Sequence, residues 1–340
     1  MTSLSIVLLT YNRQERLKRT LDQLLPQCGE REVLVCDNAS TDGTQSLMTQ
    51  IAASHPNLRY RRNAINVGYA RNLFGGFIAA RGSHVLFLAD DDIIPYGFLS
   101  ELDALVAAHA QAGVIIPNRR RTDNSGAMAE TLRDQATEFH PPSRQAVETA
   151  FVQSGAVPGL VVRVDAVRAT DWQLDGTIYP QIGLASHLAA REGLVTARMV
   201  HSIICLESDG IASRIKDAMN RPSDYGLIER ARIAERLAAH YPALLGDADL
   251  LKRSLWDWAF DVFDEMRRAG IAAHAREIYL PALLRCKSCG QSASFMFLWL
   301  KRSRQDSGFL GASLSPMLRY LPGNLASRRF FRSLFFWLKR

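Results

Sequence analysis

Residues 83–92, SHVLFLADDD, begin as an apolar strand of the kind buried on both faces and end on three adjacent carboxylates, Asp90, Asp91 and Asp92. Like charges this close repel, so a strand can end this way only where a cation or a very wet loop takes up the charge. Hard oxygen ligands suit Mg2+ or Mn2+, which makes the cluster a candidate metal site. Taken alone it is equally a solvated acidic turn, with Asp92 capping a following helix.

What precedes the cluster fixes its setting. LSIVLLTYN at 4–12 is a short β-branched apolar run closed by polar turn formers, as a central parallel strand should be. Leu17, Leu21, Leu24 and Leu25 then recur at helical spacing, and Pro26 with Gly29 is expected to end that helix. EVLVCDNAS at 32–40 is a second strand that breaks into Asp37, Asn38, Ser40, Thr41, Asp42 and Gly43. Helices over 44–53 and 68–80 alternate with strands at 58–62 and 83–89. This βαβαβαβ order predicts a mostly parallel sheet flanked by helices, whose ligand binds beyond the carboxyl ends of the strands. The loops at 10–13, 37–42 and 90–92 all belong to that edge. GxGxxG does not follow the first strand and GxxxxGK[ST] is absent, which disfavours hydride transfer and ATP hydrolysis.

SIVLLTYNR, VLVCDNASTDGT and NAINVGYARNLFGGFIAARGSHVLFLADDD, in that order, resemble the successive blocks of family 2 glycosyltransferases, most closely over residues 3–100 and more weakly to about 210. The resemblance implies the GT-A fold of nucleotide-diphospho-sugar transferases. It also implies that Thr10, Tyr11, Asn12 and Arg13 line the nucleotide pocket and that Asp37 hydrogen-bonds the base. Asn66, Gly68, Arg71 and Asn72 match the block placed near base and diphosphate, where Arg71 pairs either a phosphate or one of the aspartates. Ala89 stands where the family often has its first aspartate. Asp90 thereby becomes the expected ribose contact, Asp91 the first choice as ligand of Mn2+ or Mg2+, and Asp92 the second. A divalent ion suits a leaving group that departs as a nucleoside diphosphate.

The second half of the domain is less periodic. Residues 113–117 are strand-like, and 118–139 is polar and expected as a loop over the site. Its Arg119, Arg120 and Arg121 either hold an anionic ligand or lie in solvent. A helix is expected around 143–154 and a strand over 157–167. An inverting transferase needs a base for the acceptor hydroxyl, and the family supplies it from a Glu-Asp pair. Here that place holds Pro180 and Gln181, and Gln181 cannot take a proton. Asp171, Asp175 and His187 titrate nearby. Asp175, ahead of an expected turn at 179–181, is the candidate base, and it is equally a turn former before Gly176. His201 opens HSIICLES, expected as the last strand, where it is either structural or, by resemblance to related folds, a late member of the metal shell.

Three domains follow: a catalytic domain at 1–210 (nucleotide-sugar half 1–100, acceptor half 101–210), a helical appendage at 211–310, and a basic amphipathic tail at 311–340. Apolar residues fall at helical spacing over 224–240, 250–269 and 272–284, with Trp256, Trp258, Phe260 and Phe263 as a seam against the catalytic domain or a membrane contact. The chain carries a net +7, and residues 285–340 hold eleven Lys and Arg against Asp306 alone. Interleaved with Phe330, Phe331, Phe335, Phe336 and Trp337, this charge suits the headgroups of an anionic membrane. No nucleic-acid-binding signature accompanies it, and no apolar run reaches the length of a span. Strand one begins at the amino terminus, which disfavours a cleaved signal, and five cysteines with a lone CxxC at 286–289 suit a reducing compartment. The expected protein is a metal-dependent transferase, inverting, acting on a lipid-linked or polysaccharide acceptor at the cytoplasmic face of the membrane. The alternatives are a sugar-nucleotide-binding subunit without activity and a transferase for protein or small-molecule acceptors.

Overall fold

The structure is a computed structural model, and it describes residues 3–90, 92–122, 128–132, 136–155, 158–172, 179–206 and 227–246, with 251, 259, 260, 263, 299, 308 and 313 singly. The chain divides into two compact units, Met1–Ser208 and Asp209–Arg340.

The first unit opens with β1 (Leu4–Thr10), α1 (Gln14–Cys28), β2 (Glu32–Asp37), α2 (Thr44–Ala52), β3 (Leu58–Arg62), α3 (Tyr69–Ala79) and β4 (His84–Ala89). All four strands run parallel, in the order β3-β2-β1-β4, with Thr10 opposite Asp37 and Asp37 opposite Arg62. Every residue of β1 is buried, as a strand covered on both faces must be. Gly76 brings α3 close to the sheet, since a Cβ there would stand 2.8 Å from Val7 Cγ1. α1 runs through Pro26 to Cys28, beyond the expected stop. A proline within the last turn withholds a single N–H, and the next residue ties the turn down, its Gln27 side chain donating to Gln23 O (2.9 Å) and Ile94 O (3.0 Å). Gly29, with φ of 57°, then ends the helix.

Next come β5 (Asp92–Ile93), α4 (Phe98–Ala108), β6 (Val114–Pro117), β7 (Arg119–Thr122), β8 (Met128–Leu132), β9 (Glu138–His140) and α5 (Arg144–Gln153). They are followed by β10 (Val161–Arg163), α6 (Val164–Arg168), α7 (Pro180–Glu192), β11 (Leu194–Ala197) and β12 (Ile203–Leu206). β10 lies antiparallel between β4 and β6, so the main sheet reads β3-β2-β1-β4-β10-β6-β11-β9, with β6 and β11 pointing the same way as β1. The remaining strands form a second sheet, β5-β12-β7-β8.

Three expectations for this half are corrected. The stretch at 118–139 is not one loop: β7 pairs with β12 and β8, and its arginines hide the strand from hydropathy, although Arg119 is buried and fitted by hydrogen bonds rather than by an apolar tip. The strand expected over 157–167 is only Val161–Arg163. Gly159, with φ of 84°, delays its start, and Asp165, accepting Ala166 N–H at 2.7 Å, turns the chain into α6. Pro180 and Gln181 form the first turn of α7 rather than a connecting turn, with Pro180 where a missing N–H costs nothing.

In the second unit α8 (Leu227–His240) buries Ala231, Ala234, Leu237 and Ala238, and α9 (Pro242–Leu245) follows. Phe260, Phe263 and Trp299 are buried, and Trp299 Nε1 donates to Ser313 Oγ at 3.1 Å. The helices expected over 250–269 and 272–284, Cys286 and Cys289, and the tail beyond 313 lie outside the described residues.

Candidate active site

The carboxyl ends of β1, β2 and β4 bring the polar loops together. Asp90, only 3% exposed, anchors the junction: Oδ2 accepts from Thr10 Oγ1 (3.2 Å), Oδ1 pairs with Arg13 Nη1 (2.9 Å), and its carbonyl accepts from Thr20 Oγ1 (2.8 Å). The end of β1 with the loop after it and the end of β4 thus share one buried charge, compensated by a cation that is itself half exposed. Asp92, also buried, returns Oδ2 to the Ala89 N–H at 2.8 Å and closes the turn at the end of β4. Asp91 lies between them, outside the described residues.

The loop after β1 is locked to the loop after β2. Asn12 has φ of 53°, its N–H donates to Ser40 Oγ (2.9 Å), and its Oδ1 accepts Thr41 N–H (2.7 Å). Tyr11 is 44% exposed on this edge. Ala39, with φ of 66°, is held in a left-handed conformation that disfavours a side chain. Asp37 enforces it: Oδ1 accepts both Ser40 N–H (2.8 Å) and Ser40 Oγ (2.5 Å), while Oδ2 accepts Tyr60 Oη (2.6 Å) and pairs with Arg62 Nε (3.3 Å). The Asp37 side chain is wholly buried. Burial, and then the hydrogen bond to this carboxylate, push the Tyr60 phenol well above its ordinary range.

Four asparagines join this loop to α3. Asn38 Nδ2 donates to Asn66 Oδ1 (2.8 Å). Asn63 Nδ2 donates to Asn38 Oδ1 (3.2 Å) and to Asn72 Oδ1 (2.9 Å), and Asn72 Nδ2 donates to Cys36 O (3.0 Å). Asn66 Oδ1 also accepts Gly68 N–H at 2.9 Å, which fixes the entry to α3, where Gly68 with φ of 83° precedes Tyr69 and exposed Arg71. The sequence pointed to Asn66, Gly68 and Asn72 but not to Asn63, Ser40, Thr20, Tyr60 or Arg62. The density of Asn, Ser and Thr at 37–44 and 63–72 was the available signal.

The other half contributes differently. Arg119 is buried rather than solvated: 1% exposed, it donates through Nη1 to Pro158 O (2.8 Å) and through Nη2 to Gln153 O (2.9 Å). Gln181 Nε2 holds Gly155 O in the same loop at 3.2 Å. Because α7 runs back against β11, its first turn lies at the same edge as Asp37 and Asp90. Gln181 is 2% exposed, and its Oε1 has no hydrogen-bond partner among the described residues. Asp175 lies outside them. Asp171 Oδ1 stands 3.7 Å from Nε2 of buried His187.

His201 belongs to a different corner. Its ring lies over Gly97, and its Nδ1 is 3.0 Å from Glu101 Oε2, which also accepts the His201 N–H (3.0 Å) while Oε1 accepts that of Val200 (2.8 Å). Burial works against the Glu101 charge, but these hydrogen bonds outweigh it and hold the carboxyl below its usual range. The β12 residue opposite Asp92 is Cys205, which favours the structural reading of His201.

A mixed sheet in which β10 and the edge strand β9 run against the rest, and polar loops gathered at one edge beside a strand-end carboxylate cluster, define the GT-A class of fold. The structure is similar to that of residues 1–349 of S. aureus TarS in complex with UDP-GlcNAc (TM-score 0.64, 15% identity, 93% of this chain and 89% of that one). It is also similar to the mannosyltransferase PcManGT from Pyrobaculum calidifontis in complex with GDP-Man and Mn2+ (TM-score 0.50, 16% identity, 94% and 84%). Residues 5–161 match the family described as Glycosyl transferase family 2. Relatives in sequence include the abequosyltransferase RfbV of Salmonella typhimurium (31% identical over 35% of this chain and 36% of that protein). A second is the GalNAc(5)-diNAcBac-PP-undecaprenol beta-1,3-glucosyltransferase of Campylobacter jejuni (32% identical over 30% and 34%). The matched segment thus spans about a third of these relatives' lengths.

Proposed function

We propose that the protein is a metal-dependent glycosyltransferase that moves a sugar from a nucleoside diphosphate to a lipid-linked or polysaccharide acceptor in cell-surface glycan synthesis, with inversion. The observation that carries this reading is the edge itself: Asp90, bound by Thr10 and Arg13, joins two loops that are also locked to the third by Asn12 and Ser40. In this reading Tyr11, Asn12 and Arg13 flank the nucleotide, Asp37 lies beneath the base, Asn66 and Gly68 set the entry to α3, and Arg71 faces the diphosphate. Asp90 contacts the ribose. The hard carboxylates of Asp91 and Asp92 suit Mn2+ or Mg2+, an ion that would neutralise charge developing on the departing diphosphate. Asp175 is the base that takes the acceptor proton.

The test is a panel of nucleotide sugars incubated with purified protein and Mn2+, with release of nucleoside diphosphate as the readout. Turnover of one donor, enhanced by acceptor extracts, supports the reading. Binding without hydrolysis or transfer from any donor would instead favour a non-catalytic sugar-nucleotide subunit, a second reading motivated by Gln181 at the family's base position.

No helix among the described residues is long and apolar enough to cross a membrane. Peripheral attachment at the cytoplasmic face is proposed through the basic, aromatic tail, whose residues 311–340 alone carry six Lys and Arg. Deleting residues 310–340 should release the protein from anionic liposomes at moderate salt, and retention would refute the anchor.

A further inference from the structure

An ionised carboxylate offers four lone pairs, and Asp37 uses three in hydrogen bonds inside the protein while the Arg62 guanidinium pairs with it from the remaining side. The two oxygens are not equivalent. Both donors on Oδ1 come from Ser40, which is buried and whose N–H is part of the strained turn through Ala39. Oδ2 is faced from β3, by the partly exposed Tyr60, which donates to it, and by Arg62, whose guanidinium pairs with it. Arg62 is also held by its Nη2 to Ser40 O at 2.9 Å, and its cation balances a buried charge. The neutral Tyr60 hydroxyl is therefore the one donor that a neutral N–H can replace without uncovering that charge.

Resting on the reading that Asp37 lies beneath the base, we propose that Asp37 Oδ2 is a single-lone-pair acceptor guarded by Tyr60, and that it selects a pyrimidine nucleoside diphosphate over a guanosine one. A uracil or thymine imide, or a cytosine amino group, presents one N–H and displaces Tyr60 alone. Guanine presents its N1–H and amino group side by side, so pairing with a carboxylate takes a lone pair from each oxygen. That requires a Ser40 donor to be displaced as well, and with it the turn. Each additional buried donor left unpaired weakens binding by about tenfold or more. The two structural neighbours carry one nucleotide of each kind, UDP-GlcNAc and GDP-Man, so likeness to them does not choose. Tyr60 and Arg62 become specificity-determining and positioning residues of the proposed donor site.

Titration calorimetry of the full chain with UDP, dTDP, CDP and GDP in Mn2+ tests this. One of the pyrimidine diphosphates should bind at least about tenfold tighter than GDP, and Tyr60→Phe should tighten that nucleotide several-fold because no hydroxyl remains to be displaced. GDP binding as tightly as the best pyrimidine diphosphate overturns the inference using the parent protein alone. So does a folded Tyr60→Phe variant with unchanged or weaker affinity. If none of the four nucleotides binds, the donor-site reading falls together with this one, whereas a preference for GDP removes only the latter.

Discussion

The two halves of the first unit hold their edge loops in opposite ways. After β1, β2 and β3 the loops grip one another: Asn12 reaches Ser40 and Thr41, Asp37 reaches Ser40 and Tyr60, and the asparagines at 38, 63, 66 and 72 close the set. After β6 and α5 the loop is gripped from outside, its carbonyls at 153, 155 and 158 captured by Arg119 and Gln181. The first arrangement shares its energy among many short-range bonds. The second concentrates it in two buried side chains. A pocket that must present fixed groups to a nucleotide suits the first.

Substitutions can break or sharpen this contrast. The largest effect is expected on chemistry in the nucleotide half: Asp91→Ala should lower sugar transfer by about 10²–10³-fold with little change in stability, measured by donor turnover beside thermal unfolding. Equal activity in manganese and in chelator would overturn the metal's role.

On stability the second half should be the more brittle. Arg119→Met leaves Pro158 O and Gln153 O without their donors and should destabilise by about 2–4 kcal/mol in urea unfolding. Asn63→Ala, one member of a shared network, should cost about 1 kcal/mol, and a cost equal to that of Arg119→Met would erase the distinction between the halves.

A smaller effect is expected with pH. Glu101 has a folded value below its ordinary 4.5, so its contribution is complete above pH 4.5 and is lost as pH falls through the depressed folded value. Glu101→Gln should therefore flatten the acid limb of the stability profile below that pH and leave its slope near neutrality unchanged. An unchanged limb would exclude the His201 corner as its source.

The smallest effect is kinetic and chemical. Burial pushes the Cys36 thiol up to about 11 and the Cys28 thiol up to about 12, so neither should react with iodoacetamide at neutral pH in the native protein. Mass spectrometry reports this directly, and rapid labelling of Cys36 would show that the sheet beneath Asn72 opens.

The same contrast explains what was legible in the sequence. Strands whose residues are buried on both faces announce themselves as apolar runs, and each βα step repeats, so the order through β4 and the edge loops could be read from residues close together in the chain. β7 could not, because Arg119 is buried through carbonyls roughly 35 residues away and hydropathy counts it as surface. Pro180 misled in the same way, since proline marks a turn and a helix start alike. Tyr60 and Arg62 looked like an ordinary edge strand in LRYRR. Only the parallel register that sets Arg62 opposite Asp37 reveals what they hold.

The reversed strand β10 has a consequence for biosynthesis. Ribosomes deliver β4 some seventy residues before the segment that will pair with its free side, an interval of roughly 4–14 s at ordinary elongation rates. A sheet formed from the first four strands alone in that interval would present an unpaired margin, His84–Ala89, to any neighbouring polypeptide. Slowing translation between positions 90 and 160 should then lower the soluble yield.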